Sequence, residues 1–279
     1  SNLKKTRLAK GIETLCLFTL FSFWFAMSET IHASDEILEQ IINSHWQWTL
    51  EEYPEMRLEY GDRSGNNKWT NMSPEAHLAR YEQEVQFLRQ LEQLKPAALF
   101  AENQLNRSLL IRRLRDNKRS FEHGLHLIAM NMRSGPQHRH TITEYLPMRS
   151  VQDYEDWLER LRRLPIQLLQ YQALLREGIE RDRVQAQIVM SRVPNQIKAL
   201  LVENPIKSPF FKAFVDIPPI ISAEKQASIR SRAKKLILKE VNPAFTEMLV
   251  FLESEYMPKT RLPGIGSLSG GKQIYTHLA

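Results

Sequence analysis

Glycine is the feature that most constrains this chain. Only ten occur in 279 residues, and four of them lie between Gly264 and Gly271. Glycine gives the backbone positive φ angles and close approach without a steric penalty, so such a cluster marks a turn or a ligand-facing loop. Elsewhere the chain is glycine-poor and its apolar residues recur at helical spacing, which predicts an all-α fold, a multi-helix array with long, Pro-kinked helices. Ser34 is placed to cap a helix reaching about Glu51, with Ile37, Ile41, Ile42 and Trp46 on one face. Ser73-Pro74-Glu75 is a strong helix start, a cap followed by proline at the first helical position and an acid. A third helix is expected from about Ala101 to Phe121. Ser150 opens the clearest helix, with Val151, Tyr154, Leu158, Leu161 and Leu164 as its buried stripe. Pro165 is expected to start another helix, reaching about Arg183, and a further one spans about Gln185 to Val202, bent at Pro194. The longest run covers Ser222 to Tyr256, with Pro243 expected to kink or split it. Lys272 to Leu278 is open to reading as a short carboxy-terminal strand.

The amino terminus has the layout of a secretory signal peptide. Lys4, Lys5, Arg7 and Lys10 form a basic region, and Leu15 to Met27 is apolar apart from Thr19 and Ser22. Ala33 then offers a small residue for cleavage. The charge-free stretch from Thr14 to Ser28 would span ~22 Å as a helix, short of a ~30 Å hydrocarbon core. Residues 1–33 are therefore expected to be removed and the protein to be periplasmic or secreted, with the membrane involved only if the segment stays uncleaved. The only cysteine, Cys16, lies inside that apolar region, so a mature chain would depend on its core alone. The net charge of +6 is reduced by removal of the basic leader, and so mild a surplus argues against nucleic acid as a partner.

Several short motifs invite a functional reading. Gly266 to Gln273 comes within one residue of a phosphate-binding loop, and Leu268 to Lys272 echoes an ABC-transporter signature. Both need a strand–loop–helix context or companion motifs that the chain lacks. No His-Glu dipeptide is present, which excludes His-Glu-x-x-His zinc chemistry within these residues. His123 with His126, and His138 with His140, are the only closely spaced histidines, and loop polarity accounts for the second pair. The basic runs Arg107 to Arg119 and Lys225 to Lys239 read as solvated helix faces. Trp46, Trp48, Trp69 and Trp157 belong to the core or to the wall of a cleft. Glu51-Glu52 and Asp153/Asp156 are carboxylate pairs without a burial argument, and no serine–histidine–acid set is visible. No catalytic, cofactor-binding or metal residue is assigned.

Six segments, taken in order, resemble one family: Ser73-Pro-Glu-Ala-His-Leu-Ala-Arg80, Val151 to Pro165, Leu174 to Ile179, Ser208-Pro-Phe210, Phe251 to Pro258, and Gly266 to Tyr275. The chain resembles the bacterial domain-of-unknown-function family 885, whose members are similar to zinc metallopeptidases of the gluzincin type. That resemblance implies a helical domain over residues 34–264 corresponding to the family's amino-terminal half. Residues 265–279 would then be a Gly-rich segment leading toward a second half, and zinc would be expected only there, on its His-Glu-x-x-His. The present half would form one wall of a peptide-sized cleft without autonomous catalysis. Its expected partners are peptides, the complementary half or a second copy of itself, through an apolar patch larger than the ~300–600 Å² usual for a monomer. A stand-alone periplasmic binding module, and a hydrolase with unrecognised residues, are the alternatives.

Overall fold

The computed structural model describes residues 32–279. The signal-peptide reading, with Cys16, falls on residues 1–31 and lies outside the described part. The fold is all-α: among the described residues the only β feature is a single bridge between Ala186 and Arg261. The described chain divides into two compact units, one made of residues up to Gln47 with Glu84–Arg115, the other of Trp48–Gln83 with Asp116–Ala279.

The first unit draws on α1 (32–52), α2 (Pro74–Gln93) and α3 (Ala101–Glu122). Leu38, Ile41, Phe87, Leu88, Leu91, Ile111 and Leu114 are buried there, at the three- and four-residue spacings that put side chains on one helix face. Helix α1 already includes His32, so Ser34 lies inside it and does not cap it. Asp35 is instead buried, accepting from Asn103 Nδ2 at 2.7 Å and from the Phe100 amide. The basic run of α3 is mostly exposed and laced with ion pairs, Arg115 to Glu92 in this unit, Lys118 to Glu122 and Arg119 to Asp116 in the other.

The second unit is organised on α4 (Val151–Glu180). Ser150 accepts from the Asp153 amide and Asp153 from the Ser150 amide, a reciprocal cap that satisfies two donors at the helix start. Leu158, Leu161, Leu164, Leu168, Leu174 and Leu175 then run fully buried along the helix. The expected break at Pro165 is absent, and one helix of 30 residues continues through it. Proline removes one intrahelical hydrogen bond, but the apolar stripe on both sides of it is buried against the same core, and that packing outweighs the local cost.

Beyond α4 lie α5 (Gln187–Met190) and α6 (Val193–Lys198). These two short helices replace the single bent helix expected to Val202, and 3-10 turns at Pro205–Lys207 and Pro209–Phe214 follow. The run α7 (Ala223–Leu236) and α8 (Asn242–Phe251) is joined by a π-helical turn at Ile237–Val241, and a second such turn follows at Leu252–Tyr256. Each π turn ends two residues before a proline, Pro243 and Pro258. Widening the helix there accommodates rings that cannot donate to the preceding turn, so the run is neither broken nor ended by Pro243.

The carboxy terminus corrects the strand reading. Gly271–Leu278 is a helix, α9, entered through Gly270 at φ 71°. Gly271 and Ile274 are buried while Tyr275 and Leu278 are exposed, a helical pattern. The isoleucine, tyrosine and threonine in this stretch suggest a strand by composition alone. Gly271 is needed for close approach, because a Cβ there would meet the Ile265 carbonyl oxygen at 2.2 Å. Arg261 ties this loop down: Nη1 donates to the Gly264 carbonyl at 2.6 Å and Nε to Val184 O at 2.9 Å.

Replacing Pro165 with alanine is expected to stabilise the protein by about 1–3 kcal/mol, since α4 is helical on both sides and regains a backbone donor. Urea unfolding of Pro165→Ala should show a higher midpoint at unchanged slope. A lower midpoint would mean that the ring itself packs in a way alanine cannot replace.

Candidate functional site

The second unit holds a cavity of 440 Å³ whose walls include Glu55, Leu58, Trp69, Arg139, Ile142 and Tyr145. That volume falls within the ~300–1,000 Å³ of small-molecule sites. A depression of 230 Å³ shares Trp69 and is walled by Asn71, Arg163, Ile166, Gln167 and Gln170.

The site is assembled from three stretches of chain. Pro54–Tyr60 is a 3-10 turn, started by proline and ended by Gly61 at φ 70°. Arg57 holds it by donating from Nε to Leu50 O at 2.8 Å and by pairing with Asp62. One amide of the neighbouring turn adds constraint: Asp62 accepts from the Ser64 amide, and that hydrogen bond is the main reason its carboxyl titrates at about 2. Glu55 leaves this turn and accepts from both the amide and the hydroxyl of Thr70. The second stretch, Pro136–Glu144, is also 3-10 and supplies Arg139. The third is α4, which supplies Arg160, Gln167 and Tyr171 at spacings of seven and four residues along one face.

These residues converge on Trp69. Its indole N–H donates to the Arg160 carbonyl at 2.8 Å, and its ring meets Trp157 edge-on at 6.3 Å. Arg160 lies 4.7 Å and Arg139 5.4 Å from the indole centroid, both within cation–π range. Gln167 joins the parts: its Oε1 accepts from Arg139 Nε at 2.8 Å and its Nε2 donates to Thr70 O at 2.8 Å. Arg139 Nη2 donates to the Tyr171 hydroxyl at 3.0 Å. Burial pushes the Tyr171 phenol up.

Arg160 is fully buried, and burial brings its guanidinium down to about 10. One of its nitrogens donates to Gly65 O at 3.1 Å, while Nε and Nη1 have no partner. Among the described residues neither Arg139 nor Arg160 forms an ion pair with a carboxylate. The cluster therefore carries two unpaired guanidinium groups against one half-buried carboxylate, Glu55. Glu59, also on the cavity wall, is exposed to solvent.

The histidines of the sequence reading are placed differently. His138 lines the cavity and its Nε2 lies 3.1 Å from Met132 O, whereas His140 packs against Phe210. His126 is stacked on Phe121 at 4.2 Å and lies 5.4 Å from His77, while His123 is 5.6 Å from His277. Each of these four rings thus has its own neighbours, although His138 still lies near enough to His140 to help lower its titration, after burial. Among the described residues no group of three or more His, Cys, Asp or Glu side chains is arranged to hold a metal ion. Trp157 is core and Trp69 is cavity wall. Glu55, Arg139 and Arg160 were not singled out from sequence; their only local signals were a proline before Glu55 and arginines in a polar loop and on a helix.

The combination defines a class: a helical domain with an amphipathic cavity built around a tryptophan and unpaired arginines. The chain belongs to the family described as "Bacterial protein of unknown function (DUF885)", whose profile matches residues 54–279. It is similar in fold to the crystal structure of the "putative lipoprotein from Colwellia psychrerythraea", with a TM-score of 0.73 and 12% sequence identity. The match covers 88% of this chain and 45% of that one, so this chain spans less than half the length of that protein. No curated protein matches the chain. Among the described residues no helix is long and apolar enough to cross a membrane.

His77 and His126 make stability pH-dependent. Burial is the main cause that lowers both to about 4, with Arg80 and Arg181 respectively adding to it and Glu177 opposing it at His126. The unfolded chain, titrating near 6.5, binds more protons than the folded one between these values, so stability is complete above pH 6.5 and is lost toward pH 4. Urea midpoints measured across that window should fall for the wild type and fall less for a His77→Leu/His126→Phe variant. Equal slopes would show that other groups govern the acid limb.

Proposed function

We propose that this protein acts outside the cytoplasm as the non-catalytic amino-terminal half of a metallopeptidase-like protein. Its Trp69 cavity forms part of one wall of a peptide-binding cleft, and it has no catalysis of its own. The observation that carries the reading is the pairing of membership in DUF885 with a fold match covering 45% of a longer relative. The amino-terminal charge pattern and the description of that relative as a lipoprotein support export. Zinc would be held by the complementary half.

Exposed apolar side chains support a further packing partner. Ile166 and Leu169 stand one turn apart on α4, 58% and 56% exposed, and α9 presents Tyr275 and Leu278 at 63% and 58%. Burying such a set would supply roughly 25 cal/mol per Å² toward association, with a complementary half or with a second copy of the chain. A stand-alone helical binding module is the second reading, favoured by the burial of Leu268 and Ile274 of the carboxy-terminal segment itself.

The test is to add the carboxy-terminal half of a relative in trans. The expected result is a one-to-one complex by size-exclusion chromatography with light scattering, and zinc-dependent cleavage of a peptide pool that neither half shows alone. A monodisperse monomer that ignores the added half would support the stand-alone module.

A further inference from the structure

The unpaired charge at Trp69 points to a ligand class. Buried or half-buried guanidinium groups ordinarily have an anionic or fully hydrogen-bonding partner, because desolvation is costly otherwise. Here two of them approach one indole; of the carboxylates near them Glu55 is occupied by Thr70, and neither Asp156 nor the exposed Glu59 forms an ion pair with either arginine among the described residues. Arg139 is held by Gln167 through Nε and by Tyr171 through Nη2. Its Nη1 is taken by no protein acceptor among the described residues, and the residue lines the 440 Å³ cavity. The cation is thus fixed in orientation, with one donor edge unused. Beside it Leu58, Trp69 and Ile142 offer an apolar wall. A positioned guanidinium edge next to an apolar and aromatic surface is the arrangement that selects a carboxylate carried on an apolar body.

We propose that the cavity binds a carboxylate next to an apolar or aromatic group, with the carboxylate on Arg139 Nη1 and the apolar group against Trp69, Leu58 and Ile142. Arg160, 4.7 Å from the indole centroid, supplies a second positive charge that offsets the Glu55 and Glu59 carboxylates of the cavity wall. The carboxylate has two natural sources, the carboxy terminus of a peptide or a free amphipathic acid. The peptide source rests on the cleft reading above, and the carboxylate requirement does not.

The experiment is calorimetric titration of the full chain with four probes: N-acetyl-phenylalanine, its amide, and a five-residue peptide ending in phenylalanine as the free acid and as the amide. The expected result is that each acid binds about ten- to a hundredfold more tightly than its amide, the range for one hydrogen bond to a charged group. Arg139→Gln should abolish the preference. If that variant fails to fold, the acid-to-amide ratio on the wild type still decides. Equal binding of acid and amide, or no binding of any probe, overturns the proposal. Binding of N-acetyl-phenylalanine with acid preference but no binding of the peptides upholds the carboxylate and removes the peptide cleft. Peptides that bind equally as acid and amide do the reverse.

Discussion

The buried face of α4 is the interaction on which the second unit depends. Trp157 and Arg160 lie three residues apart on that face, both fully buried, and each fixes a different part of the chain. Trp157 stacks on Phe210 at 6.5 Å and donates to its carbonyl, which brings the 3-10 turn Pro209–Phe214 onto the core. Arg160 offers its carbonyl to Trp69 and its guanidinium to Gly65, which brings in the turns that carry Glu55. Gln167 and Tyr171, about two and three turns further along, then orient Arg139. The core and the cavity are thus two edges of one helix. A helix broken at Pro165 would separate Arg160 from Gln167, so the passage of α4 through that proline is what holds the site together.

The sequence made some of this legible and hid the rest for physical reasons. Helix faces follow from apolar spacing, so α2 and α4 began where Ser73-Pro74 and Ser150 indicated, and the stripe from Tyr154 to Leu164 is buried. The order of six loose motifs along the chain carried the family, which the match over residues 54–279 bears out. Proline was over-read as a helix start at Pro165 and as a split at Pro243, because local rules count a lost hydrogen bond and cannot see a buried stripe along a 30-residue helix or a π turn before the ring. Residues 272–278 looked like strand because β-branched and aromatic residues are common there; the burial of Gly271 and Ile274 on one side decided for helix.

The site was the least legible part. Trp69 bonds to a residue 91 positions away, and Gln167 bridges Arg139 and Thr70 across gaps of 28 and 97. No window on the sequence contains both ends of these contacts. Single arginines in a polar loop or on a helix carry no mark of their eventual burial. Of its residues Trp69 was flagged as core or cleft wall, since a large amphipathic ring is suited to either, and His138 only as one of a pair in a polar loop.

The Gly-rich ending and the arginine cluster bear on each other through what they leave unsatisfied. The glycines serve a local need: they let the backbone fold tightly on Ile265 and launch α9, with Arg261 bonding the loop carbonyls. Nothing at that loop is left without a partner in the way Arg160 is, whose Nε and Nη1 stay unpaired at zero exposure. Stability alone would favour an apolar residue in place of such a cation, since an uncompensated buried charge is costly and well-packed hydrophobic replacements often match or exceed even a paired one. A fold that keeps Arg160 beside Trp69, and holds Arg139 by two hydrogen bonds with a third edge unused, has given up stability at the place where a cavity of 440 Å³ opens. Local inconsistencies of this kind concentrate where function constrains a chain. The physical case for a site in this domain therefore rests on Trp69 and its two arginines, and not on the phosphate-loop echo that first draws the eye.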